Sequence, residues 1–304
     1  MSPLLPRYPV YVISKGRATS CLTSRFLRRD GVPHRVVIEP QEHDAYAPEV
    51  GAERLLVLPF SNLGQGSIPA RNFVWEHAIK TGAERHWIFD DNIAEIRRHY
   101  HGCRIPCDAG PALRCVEDFT DRYENLAISG LNYCMFGVPG LPPVVRNVHV
   151  YSCFCIQNDL PQRWRGRYNE DTDLCLQVLA AGLCTALIDV FEIVKKASMT
   201  MRGGNTDVLY AGDGRLRMAR DLERAWPGVA SVDRRYGRPQ HVIRANWRKF
   251  DTPLKLKPGI DLAALAPNEY GLRLVETRPL RSARLGQVRE RYQELVGEGA
   301  HASV

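Results

Sequence analysis

With 304 residues, 44% of them hydrophobic and 25% charged, the chain is long enough for one large α/β domain or two smaller ones, and its composition is that of a globular protein. No apolar stretch approaches the roughly 20 residues that span a bilayer, and MSPLLPRYPV contains no signal-peptide core, so a cytoplasmic protein without a membrane partner is expected; no protein partner is inferred. The net charge of +7 is unevenly placed: residues 195–304 carry 21 Lys/Arg against 12 Asp/Glu, residues 1–194 carry 20 against 22. That asymmetry points to a polyanion such as nucleic acid, or to no more than a solvated basic surface. Nine cysteines at irregular spacing argue against a disulfide framework. His101, Cys103, Cys107 and Cys115 cluster, but in no paired zinc-ligand spacing.

Tyr8–Ile13 reads as a first strand, broken by Ser14-Lys15-Gly16-Arg17. A strand, a Gly-containing loop and a helix (residues 18–30) form the unit with which α/β proteins hold phosphates. The loop is neither GxGxxG nor GxxxxGK[ST], which removes the main support for dinucleotide and P-loop readings. Strands are expected at His34–Ile38, followed by Glu39, and at Arg54–Leu58. A helix over Ile68–Lys80 contains Arg71 and Asn72. The fourth strand, HWIF at 86–89, stops at Asp90-Asp91-Asn92. Two aspartates beside a buried apolar run need compensating donors or a cation, so this is either a polar turn or a sheet edge that delivers oxygen ligands. The β-α-β-α order favours the second, because it predicts a doubly wound, mostly parallel sheet with Asp90–Asn92 at its carboxyl edge.

Further on, a helix is expected at about 115–129, a strand at Val148–Ile156, and a basic aromatic loop at Arg163–Tyr168. Asn169-Glu170-Asp171-Thr172-Asp173 then opens an amphipathic helix that ends at Gly182. Acidic residues suit a helix N-terminus, yet three carboxylates exceed what capping requires. A strand follows at Cys184–Val194, then Lys195-Lys196 and a Gly203-Gly204 pair placed to hinge a lid. A basic helix at 214–226 carries Arg215, Arg217, Arg220 and Arg224, and a last helix is expected at 283–296.

Taken together, YPVYVISKGR, VVIEP, IPARN, HWIFDDNI, YNEDTDL and the late RPQH resemble the TET-associated glycosyltransferase family over about residues 8–250. The resemblance implies a GT-A-like fold at 1–250, with a basic C-terminal extension at 251–304 packed on it rather than forming an independent domain. It also implies a phage or bacterial enzyme, acting in the host cytoplasm if phage-encoded, that moves a sugar from a nucleotide-sugar, UDP-sugar in particular, to 5-hydroxymethylcytosine in DNA. Asp90-Asp91-Asn92 occupies the DxD position, with Asn92 a weaker ligand than the usual acid. Together with His241, the counterpart of a C-terminal metal-binding histidine, these residues would hold Mn²⁺ or Mg²⁺. Asn169-Glu170-Asp171 matches the xED motif, which implies Asp171 as base with Glu170 beside it. Ser14, Lys15, Gly16, Arg17, Glu39, Arg71, Asn72 and Asp90 would line the donor pocket.

The chemistry is consistent with that assignment. A departing diphosphate needs positive charge, and an acceptor hydroxyl needs a carboxylate to take its proton. A GT-A enzyme acting on polysaccharide, lipid or protein shares this donor site without needing the basic surface. A non-enzymatic nucleic-acid-binding module leaves both carboxylate clusters unexplained.

Overall fold

The computed structural model describes residues 4–100, 103–137, 142–166, 168–196, 214–235, 237–243, 247–268 and 271–272. In chain order the described strands are β1 (Val10–Ile13), β2 (Arg35–Ile38), β3 (Leu55–Val57), β4 (Arg85–Asp90), β5 (Ile93–Tyr100), β6 (Cys103–Cys107), β7 (Leu126–Tyr133), β8 (Val144–Arg146), β9 (Cys153–Gln157), β10 (Cys184–Lys195), β11 (Ala230–Arg235) and β12 (Arg238–Ile243). The described α-helices are α1 (Leu22–Arg29), α2 (His43–Val50), α3 (Ile68–Lys80), α4 (Ala109–Thr120), α5 (Glu170–Ala180) and α6 (Gly214–Ala225).

Ten strands make one sheet in the order β3-β2-β1-β4-β9-β7-β10-β5-β6, with β8 paired to β10. From the pairings, β5, β8 and β9 run against the other seven, so the sheet is mostly parallel, as the β-α alternation predicts. Strand alternation sends Val10, Val12, Trp87 and Phe89 to one face, where they pack with α1, α2 and α4. Tyr11 and Ile88 point the other way and pack with α3 and α5. Helices therefore cover both faces, and the core lies as two apolar layers separated by the sheet. This leaves the strand ends as the place where polar groups meet solvent.

Three departures from the sequence reading have physical causes. The helix expected to run to 129 ends at Thr120, and LAISGLNY becomes β7, a central strand with seven of its eight residues buried. A strand covered on both faces shows no polar alternation, so periodicity does not separate it from a buried helix. The antiparallel hairpin β5–β6 was likewise not expected, because Arg, His and Glu interrupt its apolar pattern. The strand expected from Val148 begins only at Cys153, after Ser152 in the left-handed region at φ 61°. The Gly203-Gly204 hinge and the helix at 283–296 lie outside the described residues. Of the C-terminal extension, Lys255 and Lys257 exchange backbone hydrogen bonds with Glu124 and Arg122.

The edge of the α4 layer is tied by one buried carboxylate. Glu117, fully buried, accepts hydrogen bonds from Trp87 Nε1 at 2.8 Å and from the backbone N–H groups of Arg7 (2.8 Å) and Tyr8 (3.3 Å). Glu117→Ala leaves these donors without an acceptor and is expected to cost about 1–3 kcal/mol or more. A lower urea midpoint at unchanged m-value checks this. An unchanged midpoint would show that water replaces the carboxylate at no cost.

Candidate active site at the carboxyl edge of the sheet

The site is built where β1 and β4 end side by side, with Ile13 in register with Asp90. Past β1, Ser14 Oγ donates to Asp91 Oδ2 at 2.7 Å, and Arg17 Nη1 reaches Asp91 Oδ1 at 2.5 Å. Tyr46 of α2 supports the loop through its hydroxyl, which contacts Ser14 Oγ (2.7 Å) and accepts from Arg17 N (2.9 Å). Gly16 sits at φ 66°, a left-handed turn that favours glycine, and its N–H donates to Glu42. Lys15 Nζ, toward solvent, donates to Glu39 Oε2 (2.7 Å) and Asn62 Oδ1 (3.1 Å). Thus Ser14, Lys15, Gly16, Arg17 and Glu39 are brought together at one edge.

Asp90 lies at the centre. Its Oδ1 accepts from Arg71 Nη2 at 2.9 Å, and its Oδ2 accepts from Ser152 Oγ and Lys195 Nζ, both at 2.7 Å. Burial opposes ionisation of Asp90, but Lys195 and Arg71 outweigh it and hold its pKa well below the usual carboxylate range. Asp91 is pushed up by burial, with Arg17 and Ser14 opposing.

Arg71 joins this edge to the second carboxylate cluster. Only 3% exposed, it lies with Nη2 3.6 Å from Asp171 Oδ1 and Nε 3.9 Å from Glu170 Oε1, while Nε also donates to Ser67 Oγ at 3.1 Å. Its guanidinium faces the Trp164 ring, 4.6 Å from the centroid. Glu170 accepts from Ser67 Oγ at 2.8 Å. Asp171 Oδ1 is buried without a hydrogen-bond donor. Burial pushes the Asp171 pKa up to about 7, and the negative charges of Glu170 and Asp90 add to the rise against the pull of Arg71. A carboxyl poised there takes a proton near neutrality, as a general base requires. Asp173, by contrast, is held by Arg165 Nε (2.9 Å), Gln177 Nε2 (2.7 Å) and Trp226 Nε1 (2.7 Å), a structural role.

Other residues from the sequence reading stand differently. Asn72 donates Nδ2 to Trp164 O (2.8 Å) and accepts Trp164 N through Oδ1 (3.1 Å), so its amide clasps the loop instead of facing a donor. His241 is on β12, where burial lowers its pKa, and its Nε2 lies 3.4 Å from Thr172 Oγ1. Asn92 turns Nδ2 toward Lys196 O at 3.4 Å and leaves Oδ1 buried without a hydrogen bond. As a metal-ligand set, Asp90, Asp91, Asn92 and His241 do not fit. The oxygens of both aspartates already have cationic or hydroxyl partners, and among the described residues no three His, Cys, Asp or Glu side chains are grouped to hold an ion. Among the cysteines of the zinc-like cluster, Cys115 Sγ accepts from Asn268 Nδ2, and none of the nine cysteines is in a disulfide.

Sequence reasoning missed Lys195, Ser152 and Tyr133. Lys195 Nζ sits 5.6 Å from the Tyr133 ring centroid, and the Tyr133 hydroxyl contacts Ser152 Oγ at 2.7 Å. The signal for Lys195 was its place at the end of a strand, but the antiparallel pairing of Lys195 with Ile93, just after the Asp-Asp-Asn run, is visible only in three dimensions.

Two acidic groups joined by a buried cation lie at the carboxyl edge of a mostly parallel sheet, an arrangement suited to group transfer. The family model for TET-associated glycosyltransferases matches residues 8–204, and the chain belongs to that family. It is a glycosyltransferase. Solved structures similar to it include a Desulfovibrio desulfuricans G20 protein described as a nucleotide-diphospho-sugar transferase, at 10% identity and a TM-score of 0.34, covering 60% of this chain and 80% of that one. No curated protein matches the chain.

The raised pKa of Asp171 has a consequence for stability. Its folded value of about 7 lies above the roughly 4 of an unfolded Asp. Between these values the unfolded state binds fewer protons, so the Asp171 contribution to stability falls as pH rises from about 4 to about 7. Urea unfolding of the protein beside Asp171→Asn should show wild type losing stability relative to the variant across that window. A constant difference would place the Asp171 pKa at its ordinary value.

Proposed function

We propose that the protein transfers a sugar from a nucleotide-sugar, UDP-sugar in the first instance, to the hydroxymethyl group of 5-hydroxymethylcytosine in DNA. The donor would lie along the Ser14–Arg17 loop with Glu39 at its far side, where Lys15 and Arg17 offer charge to a diphosphate. Asp171 would take the proton of the acceptor hydroxyl, with Glu170 beside it as a fixed charge. No step is assigned to a metal.

The observation that carries the DNA acceptor is the attachment of the arginine-bearing helix to the acid-bearing one. Asn169 Nδ2 donates to Met218 O at 2.6 Å, and Trp226 Nε1 donates to Asp173 Oδ1 at 2.7 Å. These bonds anchor α6 against the start of α5, with Arg217, Arg220 and Arg224 exposed. A basic surface anchored next to the acceptor-activating group suits a polyanionic acceptor better than a neutral glycan. A cytosine in duplex DNA would have to leave the stack to reach Asp171.

Mass spectrometry tests the assignment. Duplexes containing 5-hydroxymethylcytosine or cytosine, and an oligosaccharide, are each incubated with the protein and a panel of nucleotide-sugars. A sugar-sized mass gain confined to the 5-hydroxymethylcytosine duplex is expected, whereas gain on an oligosaccharide alone would overturn the DNA reading. Asp171→Asn is expected to abolish transfer while nucleotide-sugar binding persists, and full activity would remove Asp171 as the base. Replacing Arg217, Arg220 and Arg224 by Ala should lower the slope of log K against log salt by about 2–3. An unchanged slope would put the DNA surface elsewhere.

A further inference from the structure

At the end of β4, where the resemblance implies a metal, the aspartate oxygens are met by the protein's own cations. Each Asp90 oxygen has a charged donor: Arg71 Nη2 on Oδ1 at 2.9 Å, Lys195 Nζ on Oδ2 at 2.7 Å. Asp91 is matched in the same way by Arg17 at 2.5 Å, with Ser14 on its other oxygen. Three cationic side chains thus meet at these two aspartates, and Arg71 also faces Glu170 and Asp171. Lys195 and Arg71 are nearly buried, their side chains 11% and 4% exposed, so solvent screens this charge little. A divalent ion bound to Asp90 would have to displace Lys195 and lie against the guanidinium of Arg71.

We propose that Lys195, with Arg71 behind it, supplies the positive charge that stabilises the departing diphosphate, in place of a divalent metal. This rests on the nucleotide-sugar reading of the donor site. Asp90 and Ser152 engage two of the three N–H donors of the ammonium, which leaves one for a phosphate oxygen. In the transfer step the acceptor oxygen bonds to the anomeric carbon. The bond from that carbon to the diphosphate oxygen breaks, and its electron pair leaves with the diphosphate. The hydroxyl proton passes to Asp171. Lys195 keeps its proton throughout and acts as a fixed charge, positioned by Asp90 and by the face of Tyr133. Asp90 is then a holder of cations that belong to the chain.

Calorimetric binding of a panel of nucleoside diphosphates to the full chain separates the possibilities. The cognate diphosphate is expected to bind with the same Kd, within about twofold, in EDTA and in Mn²⁺ or Mg²⁺. Lys195→Met should weaken binding about tenfold or more, and Lys195→Arg should restore most of it, since a charge-assisted hydrogen bond is lost and then regained. Binding that appears only with added metal overturns the inference and leaves the donor reading standing. Equal binding by wild type and Lys195→Met also overturns it. If no nucleoside diphosphate binds under either condition, the donor reading fails and this inference with it. The metal comparison needs only wild-type protein, so it holds even if a variant does not fold.

Discussion

Everything at the carboxyl edge depends on one buried guanidinium. Arg71 reaches into the space between Asp90 and the Glu170-Asp171 pair and is close to all three carboxylates, with Trp164 closing one face of its plane. Three acids so close to one another could not all ionise without it, because burial and mutual repulsion both favour the neutral forms. Its nearest anion, Asp90, stays ionised. Asp171, without a hydrogen-bond donor on Oδ1, titrates near neutrality because burial outweighs the pull of Arg71. Arg71 is shared by both acids while Lys195 bonds Asp90, and that difference divides two chemically similar carboxylates into a permanent anion and a proton acceptor.

The sheet makes this sharing possible. β1 and β4 bring the Ser14 loop and Asp90 together from one direction, as parallel strands do at their carboxyl ends. β9 enters between β4 and β7 in the opposite sense, so it contributes its start, and Ser152 arrives beside Asp90 just before that strand begins. β10, parallel to β7, reaches the same edge with its far end and delivers Lys195. Groups from four separate strands and from α3 and α5 meet within a few ångströms, each fixed by an element packed on a solid core.

How much of this the sequence disclosed follows from which interactions are local. Asp90 and Asp91 were legible because a buried apolar run ending in two acids is costly unless something answers them. Glu170 and Asp171 were legible as more acid than a helix start needs. Family membership followed from short motifs in the right order. What was hidden is long-range. Lys195 is 105 residues from Asp90, and only the sheet order brings them together. Asn72 looked available beside Arg71, but on a helix adjacent residues point apart, and its amide serves the Trp164 loop. β7 was hidden because complete burial erases the alternation by which a strand is recognised, and β5–β6 because its charged residues mask that alternation.

Trp164 links the buried carboxylate site to the surface around it. Its ring contacts the shared cation, and its backbone is pinned by Asn72. Its neighbours Arg163 and Arg165 carry positive charge on the surface; Arg165 also grips Asp173 and lies 5.8 Å from the Trp226 ring at the end of α6. Any shift of this loop alters how closely an aromatic face sits on Arg71, and with it the field felt by both carboxylates. The loop therefore joins the arginine-bearing surface to the buried guanidinium through one packed aromatic ring.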